Sequence, residues 1–431
     1  MVSMRKSLRK CQVVPDMQRG IVVGIDVSKA KIDFAAYRPD EQSRVKTVGQ
    51  SKAGFEVLKA FIDGLRADNY DPWIAFEPTG PYSVCMREWL IDTGERVVQV
   101  NGYHVKRTKE VRDNSPEKSD GKDPRVIADL VWQGCYQSLN DIGLEYAELR
   151  EAISEWGSLT KQRTALRNQF QSRLEVWFPE LANVFKDPVC LSARAIVRRY
   201  GDTHTLARSS VGSIRKVLRK AANGRTDKRA DAIRQAAKDS ISAGRGNQAR
   251  HRAMLGILNM LEMVEQRRKQ LKEEMSHLLE SVEEANYLLG IRGAGVVSVA
   301  GLLGECGPLD RYAAYGHLEK FVGLNLFEVS SGQNKGQRHI SKRGRSLARY
   351  LICQIATATT KSGGLFHDYA QQLKARGKKA GQIRVAVARR LLKVMYALAR
   401  DRNEFDPRCF FAGARMEDGL VTHQGTQAQA A

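Results

Sequence analysis

The chain has 431 residues, which is too long for one ordinary domain and predicts two or three folded units. Its 70 Lys and Arg residues against 48 Asp and Glu residues leave a formal net charge of +22, which favours a polyanionic partner and makes nucleic acid the first candidate. No stretch approaches the roughly 20 apolar residues of a membrane-spanning helix, and the basic start leads into a short strand instead of a signal peptide's apolar segment. These features argue against a membrane protein and predict a cytoplasmic one.

The N-terminal region is predicted to form an α/β domain. Short apolar runs rich in β-branched residues predict strands, and apolar residues at three- and four-residue steps predict helices. The patterns predict, in chain order, strands at 21–26, 31–34 and 44–48, a helix at 55–65, a strand at 73–77, a helix at 82–90 and a strand at 96–100. This βββαβαβ order is the ribonuclease H order, so the predicted fold is α/β and ribonuclease-H-like (RuvC-like).

Four carboxylates of this region have the pattern of a metal site. Asp26 and Glu77 each close a predicted strand, and Asp120 and Asp123 lie three residues apart before a helix that starts at Pro124. Hard divalent cations such as Mg²⁺ or Mn²⁺ prefer several carboxylate oxygens, and phosphoryl transfer commonly uses two metal ions roughly 3.5–4 Å apart. The pattern therefore predicts a divalent-metal site. The alternative is that Asp123 is a helix cap before a proline and Asp120 a solvated loop charge.

Two long helices are predicted in the middle of the chain. Apolar residues keep a three- and four-residue spacing over 149–177 and again over 257–278. The matching stripes predict either an antiparallel hairpin or a dimerising coiled coil, and simple packing within the chain gives such stripes more often. Residues 186–245, between these helices, are basic and mostly polar and predict an inserted helical lobe. Its charge either contacts a phosphate backbone or is only solvated.

A glycine pair precedes an apolar helix in the C-terminal region. Gly293 and Gly295 follow Arg292, and glycines at this place expose backbone N–H groups at the positive end of a helix, which favours phosphate binding. The pattern is similar to a helix-hairpin-helix turn. The alternative is an ordinary tight turn.

A serine beside a glycine, in Ser330-Ser331-Gly332, precedes a basic run. Such a loop serine is accessible, and nearby guanidinium groups stabilise the charge that develops when a nucleophile attacks a phosphodiester. The candidate nucleic-acid-binding residues that follow are Arg338, Lys342, Arg343, Arg345 and Arg349. The surroundings therefore suit a nucleophile, whereas a Ser-Gly pair by itself is an ordinary loop dipeptide.

With these motifs the chain resembles the DEDD-type insertion-sequence transposases, which are related to the Piv-type DNA invertases and some of which are guided by a bridge RNA. At the N-terminal end the resemblance rests on VVGIDVSK, FEPTG and KSDGKDPRVIA. At the C-terminal end it rests on GIRGAGVVSVAGLLGE, VGLNLFEVSSG, HISKRGRSLARYLI and VAVARRLLKVMYAL. The resemblance covers nearly the whole chain, and the motifs are specific together although no single one is.

The resemblance implies a transposase or site-specific recombinase that cuts and rejoins the DNA of an insertion sequence. The family's acidic tetrad falls on Asp26, Glu77, Asp120 and Asp123, which would bind Mg²⁺ or Mn²⁺. The family's nucleophilic serine, which becomes joined to a DNA 5′ phosphate, falls best on Ser331, with Ser330 as the second choice. The implied partners are the DNA of the element ends and of the target, a structured guide (bridge) RNA and further copies of the chain in a dimer or tetramer. A bacterial-type, nucleoid-associated location is expected.

The predicted organisation follows from these patterns and from the resemblance. It consists of a basic disordered tail (1–19), a RuvC-like DEDD catalytic domain (20–140), a helical coiled-coil region (141–285) with the basic insertion (186–245), a mainly α serine-bearing transposase domain (286–405) and a flexible tail (406–431). Two other classes of protein fit parts of the sequence. One is a metal-dependent DNA nuclease or Holliday-junction resolvase that hydrolyses DNA with water. The other is a non-catalytic nucleic-acid-binding protein whose acidic residues are caps and loop charges.

Overall fold

A mixed sheet with the strand order β3-β2-β1-β4-β5-β6 forms the centre of the N-terminal unit. The chain divides into two units, Met1–Asp141 and Ile142–Ala431. The computed structural model describes residues 14–41, 43–78, 80–113, 123–138, 143–222, 227–328, 338–406, 416–417 and 420–421. Most of the predicted basic tail, residues 1–13, lies outside this part of the chain.

The N-terminal unit has the predicted order of elements. Its strands are β1 (Gly20–Val27), β2 (Lys31–Tyr37), β3 (Lys46–Gly49), β4 (Asp71–Phe76), β5 (Val97–Gln99) and β6 (Gln137–Ser138). Its helices are α1 (Lys52–Ala67), α2 (Val84–Asp92), α3 (Gly102–Asp113) and α4 (Asp123–Trp132), with a 3-10 turn at Gly80–Ser83. Strand β1 is antiparallel to β2 and parallel to β4, and β4 is parallel to β5. The mixed α/β prediction is confirmed; helix α3 and the two-residue strand β6 were not predicted.

The sheet carries one hydrophobic core on each face, because successive strand residues point to opposite sides. On one face, Val23 and Ile25 of β1 belong to the same core as Leu58 and Ile62 of α1. On the other face, Val22 belongs to a core that includes Val105 of α3 and Ile127 of α4. The two faces are therefore covered by different helices, α1 and α2 on one side and α3 and α4 on the other.

The C-terminal unit is mainly helical. Its helices are α5 (Leu144–Trp177), α6 (Leu181–Val184), α7 (Leu191–Arg199), α8 (Thr203–Arg208), α9 (Val211–Ala222), α10 (Ala230–Lys238), α11 (Asn247–Glu280), α12 (Glu283–Leu289), α13 (Val296–Cys306), α14 (Tyr315–Val322), α15 (Ser346–Thr359), α16 (His367–Ala375) and α17 (Ala380–Asp401). Two hairpins are formed by β7 (Leu326–Glu328) with β8 (Arg338–Ile340), and by β9 (Met416–Glu417) with β10 (Leu420–Val421). The second hairpin lies in the segment that the sequence predicts to be a flexible tail.

Helices α5 and α11, of 34 residues each, pack antiparallel within the chain. The end of α5 meets the start of α11, where the ring of Trp177 stacks on that of His251 with 5.9 Å between centroids. At the other end, Leu149 and Leu279 share one core. Of the two arrangements that the sequence leaves open, the antiparallel pairing within one chain is the one observed.

A partly buried ion pair joins this helix pair to the inserted lobe. The segment 186–245 contains helices α7 to α10, and Arg194 of α7 donates to both carboxylate oxygens of Glu265 of α11, at 2.7 and 2.9 Å. Arg163 of α5 donates to the same carboxylate at 3.1 Å. Hydrogen bonding by Arg194 and Arg163 holds the pKa of Glu265 below its ordinary value. Three helices are therefore fixed by one carboxylate.

The helical middle and the serine-bearing region share one hydrophobic core. Leu149 and Ile153 of α5 and Leu271 of α11 belong to the same core as Leu302 and Leu303 of α13. The sequence predicts a boundary at residue 285, but residues on both sides of it pack in the same core.

Among the described helices, none combines the length and apolar character needed to cross a membrane.

Candidate active site and nucleic-acid interface

Asp26 and Glu77 lie side by side on one face of the N-terminal sheet. The parallel register pairs Ile25 with Phe76, and Asp26 and Glu77 are the residues that follow this last pair of β1 and β4. Neighbouring strands are about 4.8 Å apart. Because Ile25 and Phe76 point into the core under α1 and α2, the two carboxylate residues point to the opposite face. Both are only partly buried and are therefore accessible to solvent.

Helix α4 starts on this same face, next to β1. A β-carbon added at Gly24 would overlap the carbonyl oxygen of Pro124 and lie 3.1 Å from the backbone nitrogen of Ala128. Gly24 and Asp26 are two residues apart on one strand and so share a face. Asp123 is the first residue of α4. The backbone of Asp123 is thus brought to the face that carries Asp26 and Glu77.

A second glycine, Gly102 at the start of α3, leaves room for Glu77. A β-carbon added at Gly102 would overlap the carboxylate atom Oε1 of Glu77 and lie 3.1 Å from its Cδ. The Glu77 side chain therefore extends over the first turn of α3. Sequence reasoning did not identify Gly24 or Gly102, because a glycine beside a strand or helix end has several possible reasons.

Asp33 is a further carboxylate on this face that the sequence did not single out. The antiparallel register pairs it directly with Asp26, so both side chains share one face of the sheet. Asp33 is only 5% exposed, accepts a hydrogen bond from Thr47 Oγ1 at 2.5 Å and forms an ion pair with Lys31 at 3.1 Å. These contacts satisfy Asp33 locally and favour a structural role next to Asp26.

The donor set fits a hard divalent cation, since Asp26 and Glu77 supply carboxylate oxygens and α4 begins with a third carboxylate residue. Asp120 and the side chain of Asp123 lie outside the described part of the chain. Within the described residues, no group of three Asp, Glu, His or Cys side chains is arranged to hold a metal. The structure therefore brings together two members of the predicted tetrad and the backbone of a third.

The predicted nucleophile region is a hairpin of the C-terminal unit. Strands β7 and β8 pair Leu326 with Ile340 and Glu328 with Arg338, and residues 329–337 connect them. Ser330 and Ser331 belong to this connection and lie outside the described residues. The residues of both strands are exposed, apart from the half-buried Ile340.

The predicted basic residues lie in and after β8 and differ in their partners. Arg338 is paired with Glu328 at 3.0 Å, and Arg349 donates to the carbonyl oxygen of Val322 at 2.9 Å. Lys342 has a positive φ of 53° and is exposed, as is Arg343. Arg345 lies over the ring of Phe321. Its neighbour on that ring, Arg311, comes from a different loop and was not identified from the sequence.

The predicted glycine turn is present before α13. Gly293 has a positive φ of 106°, which favours glycine, and Gly295 is the residue before the first turn of α13. Arg292 is exposed and donates to the carbonyl oxygen of Gly363 at 3.4 Å. The turn agrees with the predicted geometry, and its role in phosphate binding stays a prediction.

Two protein families match this chain. A DEDD transposase family of the IS110 type, described as "Transposase", matches residues 23–179, and the "Transposase IS116/IS110/IS902 family" matches residues 285–371. The first match includes the acidic tetrad positions and the second includes Ser331. The protein is a DNA transposase of the DEDD type. It belongs to the IS110 family of insertion-sequence transposases.

The relatives cover nearly the whole chain. The chain is 26% identical over 396 residues to the insertion element IS116 uncharacterized 44.8 kDa protein of Streptomyces clavuligerus. The aligned region covers 90% of this chain and 96% of the relative. It is 23% identical over 393 residues to the insertion element IS110 uncharacterized 43.6 kDa protein of Streptomyces coelicolor, with the same two coverages. A pilin gene-inverting protein of Moraxella lacunata is 27% identical over 145 residues, which is 32% of this chain and 45% of that protein.

Proposed function

We propose that this transposase cuts and rejoins DNA with Ser331 as nucleophile, assisted by a divalent metal ion, Mg²⁺ or Mn²⁺, at the acidic tetrad. The observation that carries the proposal is the placement of Asp26 and Glu77 side by side on the face where α4 begins with Asp123. Carboxylate residues brought to one face in this way support a site for a hard divalent cation. Ser330 is the alternative nucleophile.

The N-terminal unit would hold the metal with Asp26, Glu77, Asp120 and Asp123. A bound divalent ion polarises a scissile phosphate and lowers the pKa of a hydroxyl that it coordinates. The residues themselves fix the carboxylates: Gly24 lets α4 approach β1, and Gly102 leaves space for Glu77. Such close backbone approach positions the ligands before DNA binds.

The covalent step uses the serine hydroxyl. A bond forms between Ser331 Oγ and the phosphorus atom, and the bond from phosphorus to the 3′ oxygen breaks. The serine proton passes to solvent and the leaving oxygen takes up a proton, which gives a 3′ hydroxyl and a 5′ phosphate ester of serine. A 3′ hydroxyl from another strand then attacks that ester, so the DNA is rejoined without an external energy source.

The partners follow from charge and from the reaction. A net charge of +22 favours binding to nucleic-acid backbones. A guide RNA, which the family resemblance implies, would supply sequence recognition by base pairing, so that the protein binds shape and backbone. Exchange of strands between two duplexes requires several cutting groups at once, so a dimer or tetramer is part of the proposal.

A recombination assay separates this function from hydrolysis. A plasmid that carries the insertion sequence with its flanking DNA is combined with wild type, Asp26→Asn or Ser331→Ala, and excision and joining products are sequenced. We expect both variants to lose joined products. A Ser331→Ala variant that still cuts, with metal dependence and without joining, would support a hydrolytic nuclease instead. Salt-sensitive binding without any cutting by wild type would support the non-catalytic class.

A further inference from the structure

Two arginines from different loops share one aromatic ring in the C-terminal unit. The guanidinium carbon of Arg345 lies 5.8 Å from the centroid of the Phe321 ring, and that of Arg311 lies 6.0 Å from it. The two guanidinium groups are therefore separated by no more than the sum of these distances. Arg311 also lies 5.0 Å from the centroid of the Tyr312 ring. We call Arg311 and Arg345 the Phe321 arginine pair.

The aromatic platform under the pair is fixed by hydrogen bonds. The rings of Tyr312 and Phe321 are 5.6 Å apart, and the backbone N–H of Arg345 donates to the carbonyl oxygen of Phe321 at 2.8 Å. The Tyr312 hydroxyl donates to the carbonyl oxygen of Cys306 at 2.8 Å. These contacts set the positions of the two rings and of the Arg345 backbone beneath the guanidinium groups.

The pair carries two positive charges without a carboxylate partner in the described part of the chain. Two other arginines of this unit are neutralised: Arg389 pairs with Glu319 at 2.6 Å, and Arg400, which lies over the Tyr396 ring, pairs with Asp401 at 2.7 Å. Two like charges held over one ring repel each other unless an anion lies between or beside them. Arg311 uses one donor, toward the Tyr312 hydroxyl at 3.2 Å, which leaves most guanidinium N–H groups free for a ligand.

The charges of both arginines reach the same two buried groups. Burial raises the pKa of the Cys306 thiol to about 12 and the pKa of the Tyr312 phenol to about 12. In both cases Arg311 and Arg345 oppose that rise by favouring the negative form. Both guanidinium groups therefore lie near Cys306 and Tyr312, and Arg345 is exposed while Arg311 is half-buried.

The pair lies at the base of the hairpin that carries the serines. The backbone N–H of Lys342 donates to the carbonyl oxygen of Gly323 at 3.1 Å, and that of Ser341 donates to Asn325 at 2.9 Å. These bonds join the segment that ends at Arg345 to the segment that leads into β7. A ligand held by the pair would therefore lie next to the root of the hairpin.

We propose that Arg311 and Arg345 together bind the phosphodiester backbone of the DNA strand on which the serine hairpin acts. This inference rests on the proposed function and adds a binding site to it. A planar guanidinium matches phosphate oxygens with two parallel hydrogen bonds, and a stacked guanidinium keeps its N–H edge available. Contacts of this kind position a strand without reading its sequence.

The test is the salt dependence of DNA binding. Binding of the full chain to a short DNA duplex of arbitrary sequence is titrated at several salt concentrations for wild type, Arg311→Gln, Arg345→Gln and the double variant. We expect each single variant to bind about tenfold more weakly, as for loss of one charge-assisted contact. The double variant should reduce the slope of log affinity against log salt by about one or more.

A matched control is Arg400→Gln. Arg400 also lies over an aromatic ring, that of Tyr396 at 5.9 Å, but it is neutralised by Asp401. We expect its affinity and salt slope to equal those of wild type. Thermal unfolding of each variant identifies misfolding, and the double Arg→Lys variant, which keeps the charge, should keep the slope.

Three results would overturn the inference: an unchanged slope in the double Gln variant, an equal loss in Arg400→Gln, or a loss confined to an RNA duplex measured in parallel. The last result would assign the pair to RNA. Failure of the proposed function is seen separately, as the absence of a covalent serine adduct in wild type. If the double Gln variant has a reduced salt slope and wild type forms no adduct, the result supports DNA binding by the arginine pair and contradicts Ser331 as nucleophile.

Discussion

Gly24 of β1 lies directly against the backbone carbonyl of Pro124, the second residue of α4. Neither backbone can yield without moving α4 away from the sheet. We expect Gly24→Ala to lower the free energy of unfolding by about 1–3 kcal/mol, as for an overpacked core. It should also reduce metal-dependent DNA cutting, because Asp123 moves with the helix. Urea unfolding and the recombination assay measure the two effects.

Gly64→Ala is the control for this change. Gly64 lies within α1 and a β-carbon there would meet no atom within 4 Å, so alanine should raise the stability by about 0.5–1 kcal/mol. A Gly24→Ala variant that unfolds at the same urea concentration as wild type would show that α4 is not held by this contact.

The contact between Gly102 and Glu77 gives a different prediction. Here the opposing atom is the end of a flexible side chain, so Gly102→Ala should change the unfolding free energy by less than about 1 kcal/mol. The Glu77 carboxylate must move, and a displacement of about 1 Å in a catalytic site lowers the rate by up to about 100-fold. We expect DNA cutting to fall at least tenfold and excess Mn²⁺ or Mg²⁺ to restore part of it. Full activity in Gly102→Ala would contradict the placement of Glu77.

Glu284 makes stability depend on pH. It is buried, accepts backbone hydrogen bonds from Leu309 at 2.9 and 3.1 Å, and burial raises its pKa to about 7. Because the folded pKa exceeds the ordinary value of 4.5, the native state binds more protons than the unfolded state between these values. The stabilisation that proton binding by Glu284 provides is complete below pH about 4.5 and is lost as the pH rises to about 7. Glu284→Gln should reduce this fall in the free energy of unfolding with pH, which urea unfolding measures from pH 4.5 to 8.

Glu283→Gln, at the exposed neighbouring position, serves as the control and should keep the wild-type pH dependence. If the free energy of unfolding falls equally with pH in wild type and in Glu284→Gln, other groups cause the fall.

Glu265 is expected to be the most sensitive charged residue of the helix pair. Glu265→Gln leaves Arg194, which is only 5% exposed, without its carboxylate and should lower the unfolding free energy by about 2–3 kcal/mol. Because the pKa of Glu265 is lowered on folding, its contribution is present above the unfolded pKa and is lost as the pH falls through the folded one. Glu262→Gln removes an exposed pair with Arg198 and should cost less than about 1 kcal/mol. Equal losses in both variants would contradict the ranking.

The predictable part of the fold is the part encoded in local patterns. The apolar run that ends at Asp26 and the one that ends at Glu77 identify two strands, and a parallel pairing of those strands makes their ends neighbours. The apolar stripes of α5 and α11 predict the two helices, but a stripe does not identify the helix that packs against it. The pairing of α5 with α11 depends on contacts more than a hundred residues apart, such as Arg267 with Glu155.

The candidate site was predictable where chemistry requires a residue type and not where packing does. Carboxylates and a serine beside glycine point to metal binding and nucleophilic attack from sequence alone. Gly24 and Gly102 act through the absence of a side chain, and Arg311 gains its meaning only from Phe321, ten residues later, and from Arg345. Asp33 was passed over because alternation explained it as a strand residue.

The most direct measurement is identification of the residue that becomes joined to DNA. The protein is expressed with its insertion sequence and flanking DNA, denatured during reaction, digested, and the nucleotide-bearing peptide is sequenced by mass spectrometry. We predict a 5′ phosphate on Ser331 in wild type, no adduct in Ser331→Ala or Asp26→Asn, and an unchanged adduct in Ser330→Ala. Cut DNA with free 5′ phosphates and no modified peptide, together with undiminished cutting by Ser331→Ala, would contradict a serine nucleophile.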